Sequence, residues 1–309
     1  EAYSNMATAQ QGLGQLKEAL ASCQSAISMK PDFDAAHSNL IFIQDLYPDI
    51  DQAEQQLELR RWNEKFIVPL AGKIQAHTNN RDPERRLRIG YVSADFCLHS
   101  AYLGFGPLIL NHNRNDFDVI CYDASVVHDS VSKTLQGAAT DWRFITGMSD
   151  DELAGTIRDD AIDILVDLSG HTRGNRLKVF GHKPAPLQVS GIGHMAPGLT
   201  TIDYRLTTDR LTPPDKESFH PEKPIYLNTF FGFTPPPNSP QVGPLPCLEN
   251  AAITFAYMGR VSRVSDEALA LWARILGDLP GARLLLKYSQ LDDPENRQKI
   301  KQIFSDLGI

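Results

Sequence analysis

The sequence has 309 residues, 42% of them hydrophobic and 22% charged, with a formal net charge of −8 at pH 7. This length allows two or three domains, and the ordinary composition is typical of a soluble globular protein. The negative charge argues against a nucleic-acid partner, which needs a basic surface, and no apolar run approaches the roughly 18 residues of a membrane span.

Residues 1–46 carry an internal repeat with an offset of 34 residues. The repeated positions are Ala2, Asn5 and Met6, with their counterparts Ala36, Asn39 and Leu40. Small residues lie between them, and Pro31 closes the second helix. This period and pattern are typical of tetratricopeptide helical hairpins, which bind extended polypeptide on a concave face. A generic helical hairpin is the alternative.

Residues 50–76 are predicted to continue as helix, with one apolar face packed on the following domain. The residues of that face are Ala53, Leu57, Leu59, Trp62, Phe66 and Leu70. The polar segment 78–83 ends in Pro83 and marks a domain boundary. We therefore assign residues 1–80 to a helical region.

From Arg86 the pattern changes to strands that alternate with helices, which predicts βαβ units and a largely parallel sheet. The predicted strands cover 87–92, 117–122, 142–146, 162–168, 187–192 and 203–207. A helix is predicted over 150–160, with Ser149 as its N-cap and Glu152 completing a capping box. Residues 81–233 are thus predicted to form a Rossmann-like lobe.

A proline-rich linker is predicted over 234–250, and a second α/β lobe begins at residue 251. Its strands are predicted at 252–257 and 282–288, and its helices at 265–275 and 294–307. Two strands are too few for a complete sheet, and the chain begins without methionine. We therefore expect a fragment of a longer two-lobed cleft enzyme, inactive by itself.

Two histidines follow predicted strands, where ligands of parallel sheets bind. His99 comes after the first strand, next to Asp95, and could act as a general base or hold a substrate hydroxyl. The alternative for His99 is a surface-loop histidine. His171 and Thr172 follow the strand at 162–168 in a glycine-rich turn, which is either a ligand loop or a plain turn.

Two further segments could contact a ligand. Residues 191–198 are predicted to form another glycine-rich turn after a strand. It includes Gly193 and His194, and it lacks the dinucleotide and P-loop fingerprints. Arg263 precedes the helix capped by Ser265, where it could bind a diphosphate. Its alternative is a surface ion pair with Asp266 or Glu267. Asp95 is also expected to contact the substrate or donor, because it lies at the end of the first strand. As carboxylates near strand ends, Asp95, Asp167 and Asp203 are otherwise expected to cap loops, and no residue spacing indicates a metal site.

Together these segments resemble the O-GlcNAc transferase/SPINDLY family. The resemblance rests on Arg88-Ile-Gly-Tyr-Val-Ser-Ala-Asp-Phe with His99, on Ile164-Leu-Val-Asp-Leu-Ser-Gly-His-Thr-Arg-Gly-Asn-Arg, on Pro184-Ala-Pro-Leu-Gln-Val and on Ala270-Leu-Trp-Ala-Arg-Ile-Leu. It implies tetratricopeptide repeats followed by a two-lobed GT-B region. The implied activity is an inverting, metal-independent transfer of a sugar, usually GlcNAc from UDP-GlcNAc, to Ser or Thr of proteins. GDP-fucose is the alternative donor.

The resemblance also implies roles for individual residues. His99 matches the active-site histidine, and the turns with His171, Thr172, Gly193 and His194 match loops that line the cleft. Arg263 replaces a lysine that contacts the donor diphosphate. The expected partners are a protein acceptor on the tetratricopeptide face and a nucleotide-sugar, with no cofactor, nucleic acid or membrane. The scattered cysteines and the absence of a signal peptide favour the cytoplasm. The alternative function is a catalytically weak scaffold that binds peptides.

Overall fold

The computed structural model describes residues 1–47, 49–191, 196–213, 220–228, 239–260 and 263–309. The chain forms two compact units. One comprises Ala26–Asp45 and Ile50–Pro235, and the other Glu1–Ser25, Leu46–Asp49 and Pro236–Ile309. The predicted boundaries after residues 80, 233 and 250 stay predictions. No helix in the described parts of the chain is long and apolar enough to cross a bilayer.

Four helices occupy the first part of the chain: α1 (Ala2–Gly12), α2 (Leu16–Met29), α3 (Asp34–Gln44) and α4 (Gln52–Phe66). Four alanines of these helices are buried, since Ala7, Ala19, Ala26 and Ala36 are at most 4% exposed. Small buried side chains allow a close approach of helices, as the repeat pattern predicts. The assignment to the tetratricopeptide type stays a prediction.

The predicted helix over 50–76 is correct only as far as Phe66. Asp51 caps α4 by accepting a hydrogen bond from the amide of Glu54 at 2.8 Å. After α4 the chain tightens into a 3₁₀ segment, Val68–Lys73, because Pro69 has no amide proton for an α-helical bond. The predicted apolar face is right at its centre, where Leu59 and Trp62 are 1% exposed, but wrong at Ala53 and Leu57, which are exposed.

The predicted parallel sheet is confirmed. Seven strands pair in the order β3-β2-β1-β4-β5-β6-β7, and every pair is parallel. Their bounds are β1 Leu87–Ser93, β2 Phe117–Asp123, β3 Asp141–Phe144, β4 Ile164–Asp167, β5 Leu187–Ser190, β6 Tyr204–Thr207 and β7 Lys223–Tyr226. The edge strand β7 is not predicted from the sequence, because it contains Pro224, which only an edge position tolerates.

Helices connect these strands and cover both faces of the sheet. They are α5 (Ser100–Leu110), α6 (Ser130–Ala138), α7 (Asp150–Asp159) and α8 (Leu177–Gly181). One buried apolar cluster includes Trp62 of α4 and Ile157 of α7, and a second includes Phe105 and Ile109 of α5. The capping box of α7 is confirmed, since the Ser149 amide donates to Glu152 at 2.7 Å and the Glu152 amide to Ser149 at 3.2 Å.

The other unit contains a short parallel pair of strands. It comprises α9 (Cys247–Asn250), β8 (Thr254–Tyr257), α10 (Asp266–Asp278), β9 (Arg283–Leu286) and α11 (Pro294–Asp306). The two strands pair in parallel through the connection that contains α10, which confirms the predicted alternation. Ser265 caps α10 by accepting a hydrogen bond from the amide of Ala268 at 3.3 Å. Part of the predicted proline-rich linker lies outside the described residues.

Candidate active site

Two loops meet at the carboxyl edge of the sheet, where the strand order reverses. β1 lies between β2 and β4, so the chain leaves β1 and β4 in opposite directions. The amide of Ala94 donates to Oγ of Ser169 at 3.2 Å, and Gly174, with a φ of +80°, lies so close that a Cβ there would be 2.9 Å from that of Ala94. Ligands of open α/β sheets bind at such a reversal. The structure therefore brings the loop with His99 to the loop with His171.

His99 is the N-cap of α5. Its Nδ1 accepts a hydrogen bond from the amide of Ala101 at 3.3 Å and lies 3.6 Å from Oδ1 of Asp95. These contacts require different forms of the ring, because an Nδ1 that accepts from an amide has no proton, whereas one that donates to a carboxylate has one. In the first neutral form Nε2 is a proton donor, and in the second it is a free base.

The exposure of the pair suits general base chemistry. The side chain of His99 is 44% exposed and that of Asp95 is 21% exposed, so a ligand can reach the imidazole while the carboxylate is largely covered. Burial raises the pKa of Asp95, and the adjacent His99 opposes this shift. A covered carboxylate beside an imidazole stabilises the imidazolium that forms when the ring takes a proton.

His171 is buried, with its side chain 2% exposed. Its Nε2 donates to the carbonyl oxygen of Pro197 at 2.9 Å, which leaves Nδ1 to accept from Oγ of Ser38 at 3.2 Å. The ring also packs edge-on against Trp62 at 5.1 Å. Burial lowers the pKa of His171 to about 4, so the ring is neutral at pH 7. In this arrangement His171 fixes the loop after β4 against α3 and α4, and a direct ligand contact stays a prediction.

The rest of this loop is also held by internal bonds. Oγ1 of Thr172 donates to the carbonyl oxygen of Ser169 at 2.8 Å. Arg176, a possible anion ligand from its position, instead pairs with Asp150 at 3.0 Å and donates to the carbonyl oxygen of Met148 at 2.9 Å. Arg173 is exposed. The half-buried Thr172 and the exposed Arg173 are therefore among the members of this loop that a ligand can reach.

Two of the three carboxylates expected to cap loops, Asp167 and Asp203, are held by hydrogen bonds to neighbouring segments, whereas Asp95 faces His99. Asp167 ends β4 and accepts hydrogen bonds from the amides of Ser169 and Gly170 at 3.2 and 2.9 Å. Its pKa is raised to about 6 by burial, although these two bonds oppose the shift. Asp203 accepts from Nζ of Lys183 at 2.6 Å and from the amide of Gln188 at 2.8 Å. Both carboxylates are therefore occupied by local structure.

The predicted ligand residues Gly193 and His194 lie outside the described residues. β5 ends immediately before them at Ser190, and the amide of Gly191 donates to the carbonyl oxygen of Asp167 at 3.0 Å. The chain therefore enters their turn at the carboxyl edge of the sheet, beside β4. Their role in binding stays a prediction.

Arg263 belongs to the unit that contains α10. Its side chain is exposed, and its amide donates to the carbonyl oxygen of Arg260 at 3.0 Å. It forms no ion pair with Asp266 or Glu267, both of which the structure describes. The position two residues before the N-cap of α10 leaves the guanidinium open to an anion, next to the amides of a helix N-terminus.

The loop after β2 also borders His99, and it is not predicted from the sequence. The buried Asp123 accepts a hydrogen bond from the amide of Ser125 at 2.8 Å, and its Oδ2 lies 3.5 Å from Nδ1 of His128. Asp129 accepts from the amide of Leu98 at 2.7 Å. The signal that could have found this loop is positional, because Asp123 ends β2 at the level where β1 ends.

The described side chains include no group of three or more His, Cys, Asp or Glu residues arranged to hold a metal ion. The loop after β1 offers a histidine–carboxylate pair at a strand end, and the unit that contains α10 offers, separately, an exposed arginine at a helix N-terminus. Independence from a metal in the reaction stays a prediction.

Comparisons with known proteins agree with one another. The model of "Glycosyl transferase family 41" matches residues 64–233. Proteins named probable UDP-N-acetylglucosamine–peptide N-acetylglucosaminyltransferase SPINDLY, from Petunia hybrida and Arabidopsis thaliana, are each 34% identical over 257 residues. These matches cover 81% of this chain but 27% and 28% of the relatives, so the chain spans about a quarter of their length. A mutant of the Thermobaculum terrenum O-GlcNAc transferase superposes with a TM-score of 0.91 at 30% identity, over 99% of this chain and 58% of that protein.

Proposed function

The chain belongs to glycosyl transferase family 41, and from this premise we propose that the whole protein transfers N-acetylglucosamine from UDP-GlcNAc to Ser or Thr hydroxyls of proteins. The names of the SPINDLY relatives and of the Thermobaculum terrenum enzyme support this donor and a peptide acceptor. GDP-fucose is the alternative donor. The observation that carries the proposal is the pairing of His99 with Asp95 at the point where the strand order reverses.

The proposed reaction is a direct displacement at the anomeric carbon with inversion and without a metal. The acceptor hydroxyl forms the new carbon–oxygen bond while the bond to the nucleotide diphosphate breaks. Nε2 of His99 takes the hydroxyl proton when Nδ1–H faces Asp95, and Asp95 stabilises the imidazolium. Arg263 and the N-terminal amides of α10 bind the departing diphosphate, whose negative charge they stabilise.

The finer features of the proposal concern the rest of the molecule. We assign the N-terminal helices to tetratricopeptide hairpins that bind the acceptor polypeptide, which the buried alanines and the 34-residue repeat support. We assign the α/β parts of the two units to the lobes of a GT-B enzyme. The cytoplasm is the proposed location.

The test is transfer of GlcNAc from UDP-GlcNAc to an acceptor protein by the full-length protein and its His99→Ala variant. We expect His99→Ala to lower the rate by about 100-fold or more, the usual contribution of a positioned acid–base group. His112→Ala is the matched control, because His112 follows the opposite end of α5. Transfer by His99→Ala at the rate of the His112→Ala control would refute the assignment.

A further inference from the structure

A segment without regular secondary structure, residues 197–200, lies next to the loop after β4, and its first three residues are buried. Buried backbone groups outside helices and strands need other hydrogen-bond partners. Here the partners are side chains from three separate parts of the chain, which we name the loop clamp. They are His171 from the loop after β4, Asn63 from α4, and Glu222, which directly precedes β7. Oδ1 of Asn63 accepts from the amide of Thr200 at 3.0 Å.

The other two members of the clamp bond backbone groups only two residues apart. Nε2 of His171 donates to the carbonyl oxygen of Pro197 at 2.9 Å, and Oε1 of Glu222 accepts from the amide of Leu199 at 2.8 Å. A short piece of buried backbone therefore connects the carboxylate of Glu222 to the imidazole of His171. That imidazole belongs to the same loop as Thr172, which a ligand can reach.

The charge of Glu222 is costly at this position, because the residue is only 1% exposed. Burying a carboxylate costs more free energy than burying a neutral amide. Asn63, which belongs to the same clamp and is 6% exposed, shows that a neutral amide oxygen suffices as an acceptor for this segment. A buried carboxylate in place of a neutral acceptor therefore indicates a use for its charge beyond holding the fold.

Glu222 changes its charge close to neutral pH. Burial raises the pKa of its carboxyl to about 7, although bonds from the amides of Leu199 and Gly198 and the charge of Arg205 oppose this shift. Arg205 lies on β6, where its Nε donates to the carbonyl oxygen of Glu222 at 3.4 Å and its Nη1 to Oγ1 of Thr212 at 2.6 Å. The opposing effects leave the pKa well above the ordinary value of a glutamate.

Other ionisable side chains lie around this segment. His171 and His220 are neutral at pH 7, because burial lowers both pKa values to about 4. Lys183 and Asp203 pair with each other at 2.6 Å, next to residue 201. Glu222 is therefore the member of the clamp whose charge changes near pH 7.

We propose that Glu222 is a positioning residue for the transfer reaction, because its carboxylate fixes the segment on which His171 holds the loop after β4 and thereby places Thr172 at the ligand. This inference rests on the proposed function and names a residue that supports its site. A charged carboxylate accepts a hydrogen bond from an amide more strongly than a neutral carboxyl does. The transfer rate therefore follows the ionisation of Glu222, although Glu222 itself does not contact the substrate.

The test compares wild type with Glu222→Gln, both as full-length protein, at pH 5.5 and pH 8.5. The readout is the ratio of the wild-type kcat/KM to that of the variant for transfer of GlcNAc to one acceptor protein. Titration of His99 cancels in this ratio, because both proteins contain it. We expect a ratio of about ten at pH 8.5, where Glu222 is charged, and of about one at pH 5.5, where it is neutral like glutamine. Glu249→Gln, which changes an exposed carboxylate, is the matched control and should give about one at both pH values.

A second variant separates charge from shape. Glu222→Asp keeps the charge on a shorter side chain and should recover part of the loss at pH 8.5, and melting temperatures are measured for each variant. An equal ratio at both pH values overturns the inference, because the side chain then acts without its charge, and so does a ratio of one at pH 8.5. If neither variant folds, Glu222 serves the fold alone and the inference fails. A wild-type protein that transfers no GlcNAc at either pH refutes the proposed function together with this inference.

Discussion

Asp95 determines which proton form of His99 can act as a base. When Nδ1 donates to the carboxylate, Nε2 is free to accept a proton, whereas the bond from the Ala101 amide favours the opposite form. Asp95→Asn keeps the size of the side chain but removes the charge that stabilises an imidazolium. We expect a loss of transfer of about tenfold or more with unchanged thermal stability. The measurement is transfer rate together with the melting temperature.

The control for this variant is Asp159→Asn, which changes an exposed carboxylate at the end of α7. If Asp95→Asn transfers at the same rate as Asp159→Asn, then Asp95 does not act on His99. A lower melting temperature in Asp95→Asn alone would assign the carboxylate to folding instead.

Position along a strand predicts where a residue lies but not which way its side chain faces. His99 was placed correctly at the carboxyl edge because it follows a short β-rich run. His171 follows another such run, yet it is buried because it packs against Ser38 of α3 and Trp62 of α4, and Ser38 lies 133 residues earlier in the chain. Arg176 likewise pairs with Asp150 on α7. Contacts between elements this distant in sequence produce no local sequence pattern, so they are not predictable from the sequence.

At the scale of elements, a buried ion pair joins the segment before β1 to the start of β4. Asp163 accepts hydrogen bonds from Asn79 and Arg85 at 2.8 and 2.7 Å and from the amide of Arg88 at 2.9 Å. Burial raises its pKa, but the bonds from Arg85, Arg88 and Asn79 outweigh burial and hold it below the ordinary value. The stability that Asp163 contributes is therefore present above about pH 4 and is lost as the pH falls through its lowered folded-state pKa.

We expect Asp163→Ala to lower the free energy of unfolding by about 2–3 kcal/mol at pH 7, because it removes the carboxylate that pairs with Arg85 and accepts from the amide of Arg88. Urea unfolding measures this loss. Asp151→Ala is the matched control, since it breaks the exposed pair with Lys73 and should change stability little. Equal effects of the two substitutions would show that the buried pair contributes no more than a surface pair.

Elements were predicted from the sequence where local chemistry specifies them. The capping box of α7 and the cap of α10 are coded within four residues, and both are confirmed. α6 is not predicted from the sequence, because its capping box joins Asp129 to Ser132 and lacks the usual Ser or Thr followed by Glu. β7 is not predicted because proline is unusual inside a strand, and Pro224 fits here only because β7 is an edge strand paired with β6 alone.

For the molecule as a whole, three buried titrating groups make opposing contributions to acid stability. Burial lowers the pKa of His171 to about 4, whereas it raises that of Asp167 to about 6 and that of Glu222 to about 7. As the pH falls from 6.5 towards 4, His171 takes up a proton in the unfolded chain but not in the folded one, and this lowers the free energy of unfolding. The two carboxyls act in the opposite direction, because the folded state takes up their protons first.

Replacing His171 removes one side of this balance. The wild type loses free energy of unfolding between pH 7 and pH 5 because of His171, and His171→Asn should not. We therefore expect the change in the free energy of unfolding from pH 7 to pH 5 to be about 2 kcal/mol more favourable in the variant, from 1.36 kcal/mol per pH unit. Urea unfolding at the two pH values measures this difference. Any destabilisation by the substitution that is equal at both pH values cancels in the comparison. Parallel changes in the variant and the wild type would show that His171 takes up its proton at the same pH in the folded and the unfolded protein.

Donor binding and acceptor activation are assigned to different units, and this division can be tested. Arg263 is exposed beside the N-terminus of α10, where a guanidinium can form two parallel bonds to phosphate oxygens. In the full-length protein we expect Arg263→Ala to weaken UDP binding by about 1.5–3 kcal/mol, and Arg263→Lys to recover part of it by keeping the charge. His99→Ala should lower transfer while UDP still binds, because the imidazole acts on the acceptor. Calorimetry with UDP distinguishes the two residues, and an Arg263→Ala protein that binds UDP like wild type would place the diphosphate elsewhere.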